Sequence, residues 1–284
     1  IVIIGTFLGS FWKVIDDRTS NGRKFFKGRS KCEDCGKELE VKDLIPVFSY
    51  IKNKGKCAHC DAKLSVLYPI SEVTTGLVLA GIAYYINVFN VPNPLIWITY
   101  TYLAVVACIY IIILFADIKY KIIPNKVVIP SIIFVLLIVV GSLAYVAYSS
   151  YQQLAADEFG RYLLQVGYWH SQMLMLLKRL GFTVLSSIGF GLFFWLLIVI
   201  TKGKGMGGGD VKLAVLVGLF NGFPINIVAI VLAFVSGAIY SGIMMAFGKK
   251  GMKDAIPFGP FLILGSVLAF IFGQQLFGWY ISLI

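Results

Sequence analysis

Long apolar runs dominate the chain, and short polar stretches separate them. A helix needs about 20 apolar residues to cross a bilayer. Runs that approach or reach this length lie at 69–90, 95–116, 127–148, 181–200, 211–223, 225–246 and 259–282. The 211–223 run is short for a span, so it predicts a helix that tilts little or sits in protein. The opening stretch, 1–12, reads as the end of a further span. The pattern therefore predicts an all-α polytopic membrane protein with about eight transmembrane helices. Between 13 and 68 the apolar pattern stops, which marks a small domain between the first and second spans. The expected organisation is 1–12 as the end of the first span, 13–68 as a cytoplasmic domain and 69–284 as a multi-span core. The outer segment 149–180 is mixed, and 162–180 reads either as an amphipathic helix at the membrane interface or as an extension of its flanking helices.

Composition supports this class. Hydrophobic residues make up 58% of the 284, charged residues 14%, and the mean hydropathy is +0.85. Soluble domains carry about 25% charged residues. A soluble enzyme, a disordered chain and a nucleic-acid-binding domain are thereby disfavoured as accounts of the whole. The net charge of +11 then needs a location. With alternating spans, 22 of the 25 Lys and Arg residues fall on one side, in 13–68 and in the loops 117–126, 201–212 and 247–257. Only Arg161, Lys178 and Arg179 fall on the other. Cytoplasmic loops carry such an excess of basic residues. The basic face is therefore expected in the cytoplasm, with both termini outward.

Four of the five cysteines lie in the basic segment as Cys32-x-x-Cys35 and Cys57-x-x-Cys60, with 21 residues between the pairs. Two such knuckles can offer four thiolates to one tetrahedral zinc ion. The alternatives are disulfides, which a reducing cytosol disfavours, and a dithiol redox site. His59 could compete as a ligand, though four thiolates already suffice. A closed four-cysteine site is structural and suits a segment too small for a generous core. Cys108 lies inside a span, where a lone thiol is more often packing than chemistry.

Carboxylates are scarce near the membrane. Apart from Glu72 at the start of a span, those outside the zinc segment and the outer loop are Asp117, Asp210 and Asp254. Asp254 sits in a Lys-rich loop and reads as solvated. Asp117 ends the third span and precedes Ile123-Pro124-Asn125. Asp210 follows Gly205-Met206-Gly207-Gly208-Gly209 and opens the next apolar helix. Two carboxylates held close share a proton, and such a pair can activate water and protonate a leaving amine. The plainer reading is that Asp210 caps its helix and Asp117 pairs with Lys119 or Lys121. The glycines from Gly203 to Gly208 also match a dinucleotide-binding spacing. They follow a membrane span rather than a strand, so that reading fails its context.

In this order, the motifs resemble those of the bacterial type IV prepilin peptidases, intramembrane aspartic proteases that also act as N-methyltransferases. The resemblance covers nearly the whole chain. It runs through Gly9-Ser10-Phe11, the two cysteine pairs, Tyr68-Pro69-Ile70-Ser71-Glu72, Asp117-Ile118 with Ile123-Pro124-Asn125, Gly205 to Leu213, and Ile256-Pro257-Phe258-Gly259-Pro260-Phe261. It implies that Asp117 and Asp210 are the catalytic pair and that Gly207 and Gly209 shape the active-site loop. It also implies that Cys32, Cys35, Cys57 and Cys60 bind zinc. The implied substrates are prepilins or pseudopilins, whose short basic leader is removed at the cytoplasmic face of the bacterial inner membrane. Membrane lipid is the other implied partner, and nucleic acid is not one. S-adenosylmethionine would be the methyl donor, with no motif for its pocket; the early cytoplasmic segment around Lys13 and Arg18 is the place left for it. Where the family continues its first span into an Asn-Val stretch, Trp12-Lys13-Val14 stands here. The rival from another class is a transporter or receptor with a zinc-stabilised cytoplasmic lobe, in which paired acids form an ion path.

Overall fold

The computed structural model describes residues 1–20, 31–32, 34–90, 93–203, 206–248 and 256–283. Arg18's side chain, Gly205 and Asp254 lie outside the described residues. Among those described, the fold is all-helical, and its only strand-like features are two isolated bridges in the cysteine segment. The chain divides into two compact units, Ile1–Lys126 and Val127–Ile284.

Four long or paired helices build the first unit: α1 (Val2–Ser20), the short α2 (Phe48–Lys52), α3 (Leu67–Tyr85) and α4 (Pro94–Tyr120). Glycines let α1 lie directly on α3. A Cβ on Gly5 would stand 2.7 Å from the Gly76 Cα, and one on Gly9 would stand 2.8 Å from the Glu72 Cα. Helix α4 packs against both. The Asn93 Oδ1 accepts from the Leu95 N–H at 2.9 Å, with Pro94 at the first helical position. The helix stops where Lys121 turns left-handed (φ 52°) and its N–H returns to the Asp117 carbonyl at 2.9 Å. Pro124 follows, as is common just beyond a helix end.

The second unit holds α5 (Asn125–Ala155, entered two residues earlier), α6 (Glu158–Gln165), α7 (Tyr168–Ile200), α8 (Gly208–Asn221), α9 (Ile225–Ala246) and α10 (Gly259–Ile281). In the segment 149–180 the structure divides the run 162–180: 162–165 end α6, and 168–180 extend the following helix. Residues 168–180 are the opening turns of α7, cut off from α6 by Gly167 in a left-handed turn (φ 76°). At 1.5 Å per residue, α5 and α7 are each more than about 45 Å long. Both overrun a hydrocarbon core of about 30 Å. Trp169 ties their extensions together by donating from Nε1 to the Ala147 carbonyl at 3.2 Å and the Ser150 hydroxyl at 3.1 Å.

Among the described residues, six helices are long and apolar enough to cross a membrane: α3, α4, α5, α7, α9 and α10. The remaining two of the eight expected spans are shorter. The apolar part of α1 is Val2–Val14, and α8 has 14 residues. A helix of that length reaches only about 21 Å, so α8 is sheathed in protein. Leu213, Ala214, Leu216 and Val217 are fully buried against α7, α9 and α10.

Backbone groups freed at membrane depth need partners, because lipid supplies none. Neighbouring side chains serve the far end of α8. The Thr183 hydroxyl accepts from the Phe223 N–H at 3.0 Å. Asn221 donates to the Val217 carbonyl at 3.0 Å, and Asn226 donates to the Gly218 carbonyl at 3.3 Å and to Ser186 at 2.7 Å.

Contact between α7 and α8 depends on Gly218, where a Cβ would stand 2.9 Å from the Ser187 Cα. Gly218→Ala is therefore expected to push the helices apart and cost about 1–3 kcal/mol, as overpacking does. Gly189→Ala, at a site with open space around it, should change little. Thermal unfolding of the two variants in the same detergent checks this; equal midpoints would contradict it.

Candidate functional site

The cysteine segment is two copies of one turn. In the first, the Cys32 N–H donates to the Lys37 carbonyl at 3.0 Å, and the Gly36 N–H returns to the Cys32 carbonyl at 3.0 Å. In the second, Cys57 donates to Ala62 at 2.8 Å and Asp61 returns to Cys57 at 3.2 Å. Lys31 bridges to Glu38 and Lys56 to Lys63 at equivalent positions. The residue after each second cysteine is left-handed: Gly36 at φ 69° and Asp61 at φ 55°. Glycine adopts that conformation freely and Asp tolerates it.

These turns bring the four thiols together. All four sulfurs lie within 4.8 Å of one another, and the Cys32 and Cys60 Sγ atoms are 3.8 Å apart. A tetrahedral site with Zn–S bonds of about 2.3 Å has S–S edges of roughly 3.8 Å. The donor set thus fits a zinc-sized thiophilic cation and can hold a metal ion. Without a cation the crowding is unfavourable to thiolates. The Ala62 N–H favours the Cys60 thiolate, but desolvation and hydrogen bonds with Cys35, Cys57 and Cys32 outweigh it and push the thiol up to about 12. A bound divalent cation reverses that preference. His59 does not join the cluster. Its Nε2 lies 3.9 Å from the Asp43 Oδ2, which also accepts from the Glu40 N–H at 3.2 Å.

Asp117 lies in the last turn of α4, within the helix rather than beyond it, and is 5% exposed. The turn that follows is cationic and aromatic. Lys119 Nζ lies 4.7 Å from the Tyr120 ring centroid and 5.8 Å from that of Tyr68. Lys13, on α1, faces the same two rings at 5.8 and 5.9 Å. At 2% exposure Lys13 is buried, and an aromatic face partly offsets the lost hydration of an ammonium group. The sequence placed Lys13 among the basic residues of the cytoplasmic segment, in the stretch left for a methyl-donor pocket, and did not foresee its burial.

Asp210 lies in the first turn of α8 and is 8% exposed. Its Oδ2 accepts from the Gly207 N–H at 3.1 Å, while its own N–H donates to the Gly207 carbonyl at 3.1 Å. The carboxylate thus closes the loop on itself and faces the positive end of the helix dipole. Gly207 is extended (φ −89°, ψ 152°) and exposed, as is Gly208, whereas Gly209 is half-buried. Exposed glycine backbone beside a buried carboxylate leaves room for an extended chain to approach. Asp117 belongs to the first compact unit and Asp210 to the second.

Glu72, which the sequence offered as the start of a span and the last residue of the Tyr68–Glu72 motif, is 7% exposed and accepts from the Val47 N–H at 2.7 Å. Its partners come from elsewhere in the chain, so its burial could not be read from that motif.

Membrane-length helices, a four-cysteine cluster and buried acids at helix ends define a polytopic membrane protein with a small lobe that could hold a metal ion. The chain belongs to the type IV leader peptidase family: that family's pattern matches residues 104–242, and the Bacterial Peptidase A24 N-terminal domain matches residues 3–86. Among similar proteins is the prepilin leader peptidase/N-methyltransferase of Bacillus subtilis, 27% identical over 100% of this chain and 97% of the relative. That of Stutzerimonas stutzeri is 24% identical over 99% of this chain and 92% of its own. That of Pseudomonas aeruginosa is 27% identical over 89% of this chain and 74% of its own. No solved structure matches.

Proposed function

We propose that this protein is a membrane aspartic endopeptidase that removes the leader of type IV prepilins or pseudopilins and then methylates the new N-terminus. The observation that carries the reading is the pair of buried aspartates, Asp117 and Asp210, within a chain of this family. One carboxylate takes a proton from water as the water oxygen attacks the scissile carbonyl. The other carboxyl gives its proton to the carbonyl oxygen, and the amine leaves with a proton when the C–N bond breaks. The mechanism needs one acid ionised and the other protonated, and neither role is fixed to one residue.

The exposed backbone at Gly207 and Gly208 suits an unwound peptide beside Asp210. If the spans alternate, 22 of the 25 Lys and Arg residues fall in loops on the same side, which supports a cytoplasmic active site with both termini outward. Cys32, Cys35, Cys57 and Cys60 would hold a zinc ion, which would stabilise the lobe and take no part in hydrolysis. For the second step S-adenosylmethionine would supply the methyl group to the new amine, with the demethylated sulfur compound and a proton released.

The test is to co-express the protein with a prepilin in cells that lack their own peptidase. A shift of the pilin to its processed size supports the reading. An unprocessed pilin beside a correctly inserted protein would instead favour a transporter or receptor.

A further inference from the structure

Glu72 joins three parts of the first unit. Its backbone belongs to α3. Its Oε2 accepts from the Val47 N–H, in the lobe between the cysteine pairs, at 2.7 Å. The Ser10 hydroxyl of α1 hydrogen-bonds the same carboxylate. Each partner is held in place for this contact. Ser10 follows Gly9, whose lack of a side chain lets α1 come against the backbone of Glu72 itself. Val47 precedes α2 at φ 60° and ψ −47°, a region that β-branched residues avoid. Such a conformation persists where the surroundings over-determine it, and here a buried carboxylate receives the N–H that it presents. The cysteine knuckles bracket this point in sequence, since Val47 lies between Cys35 and Cys57.

We propose that Glu72 is a positioning residue: a latch that docks the metal-binding lobe on the α1–α3 pair and so couples occupancy of the four-cysteine site to the packing of these helices. It works as a hydrogen-bond acceptor. A glutamine can accept from Val47 and bond Ser10 in its place; an alanine can do neither. At 7% exposure the side chain is buried and is not the solvated helix-end acid that its position in the sequence suggests.

The experiment uses the full-length protein in detergent, with and without a chelator, and follows hydrogen exchange of amides in α1, α3 and 47–52. It needs no activity, so it stands apart from the leader-peptidase reading, although it rests on the metal site assigned under it. In the wild type, removing the metal should speed exchange in α1 and α3 several-fold, besides unfolding the lobe. Glu72→Gln should keep that response. Glu72→Ala should keep its metal content, show fast exchange at 47–52 even with metal bound, and lose most of the response in α1 and α3. Val47→Gly, which keeps the N–H and suits a positive φ, should behave as wild type. The latch is overturned if Glu72→Ala transmits metal loss to α1 and α3 as the wild type does. It is equally overturned if Glu72→Gln fails as Glu72→Ala does, since the negative charge and not the acceptor would then be at work. Should the wild type carry no metal, the comparison of Ala with Gln at 47–52 still decides the docking contact.

Discussion

Asp117→Asn and Asp210→Asn should each reduce leader removal by at least about a thousandfold, the scale of acid–base catalysis, while leaving insertion and folding intact. Asparagine preserves the local structure at both sites. At position 210 its side-chain oxygen can still accept the Gly207 N–H that closes the loop. At position 117 the bond to Lys121 runs through the backbone carbonyl and does not involve the side chain. A shape-preserving change that abolishes turnover would therefore report chemistry. In the proposed mechanism both residues serve one water, so the double variant should be no worse than either single one. Quantitative gel analysis of a co-expressed prepilin, normalised to the amount of membrane-inserted enzyme, gives the comparison. Near-normal processing by both single variants would remove the aspartates from the mechanism.

Loss of the metal is the second large effect. Structural zinc sites bind with about 10–16 kcal/mol in small domains, and that energy is folding energy. Helix α2 has no buried residue, and the lobe around it offers little apolar core. Replacing Cys32 and Cys35 together with serine should lower the zinc content from about one per chain to near zero. The segment 31–66 should then become open to protease, with cleavage concentrated at Lys52, Lys54 and Lys56. Helices α5 to α10, in the other unit, should keep their resistance. Metal analysis and limited proteolysis of the same sample test this. Full zinc content in the double variant would contradict the assigned ligands.

The pattern of apolar runs located every long helix, because a membrane imposes length and composition together. Its errors were at ends, where caps rather than hydropathy decide. Helix α4 continues past residue 116 to Tyr120, so Asp117 is inside the helix. Helix α8 starts at Gly208, where the Asp210 carboxylate caps it, and stops before Gly222 at φ 67°. The choice left open for 162–180 turned on Gly167, whose left-handed turn separates α6 from α7.

The cysteine knuckles were legible from spacing alone, since the metal chemistry requires that spacing. Asp117 and Asp210 drew notice because so few acids stand near the bilayer, and the structure buries both. The burial of Glu72 and Lys13 was not legible. A glutamate at a span start and a lysine in a basic segment are ordinary on the page. Their burial arises from contacts between α1, α3, α4 and the lobe that no local pattern encodes.

The central claim, that the protein cuts a prepilin leader and methylates the product, is most directly tested by intact-mass analysis of a purified prepilin. The prepilin is incubated with the purified protein in the presence and absence of S-adenosylmethionine. The expected result is a product shortened by its leader in both reactions, heavier by one methyl group at its new N-terminus only when the donor is present. A prepilin of unchanged mass, with a folded and zinc-loaded protein in the same tube, would contradict the account.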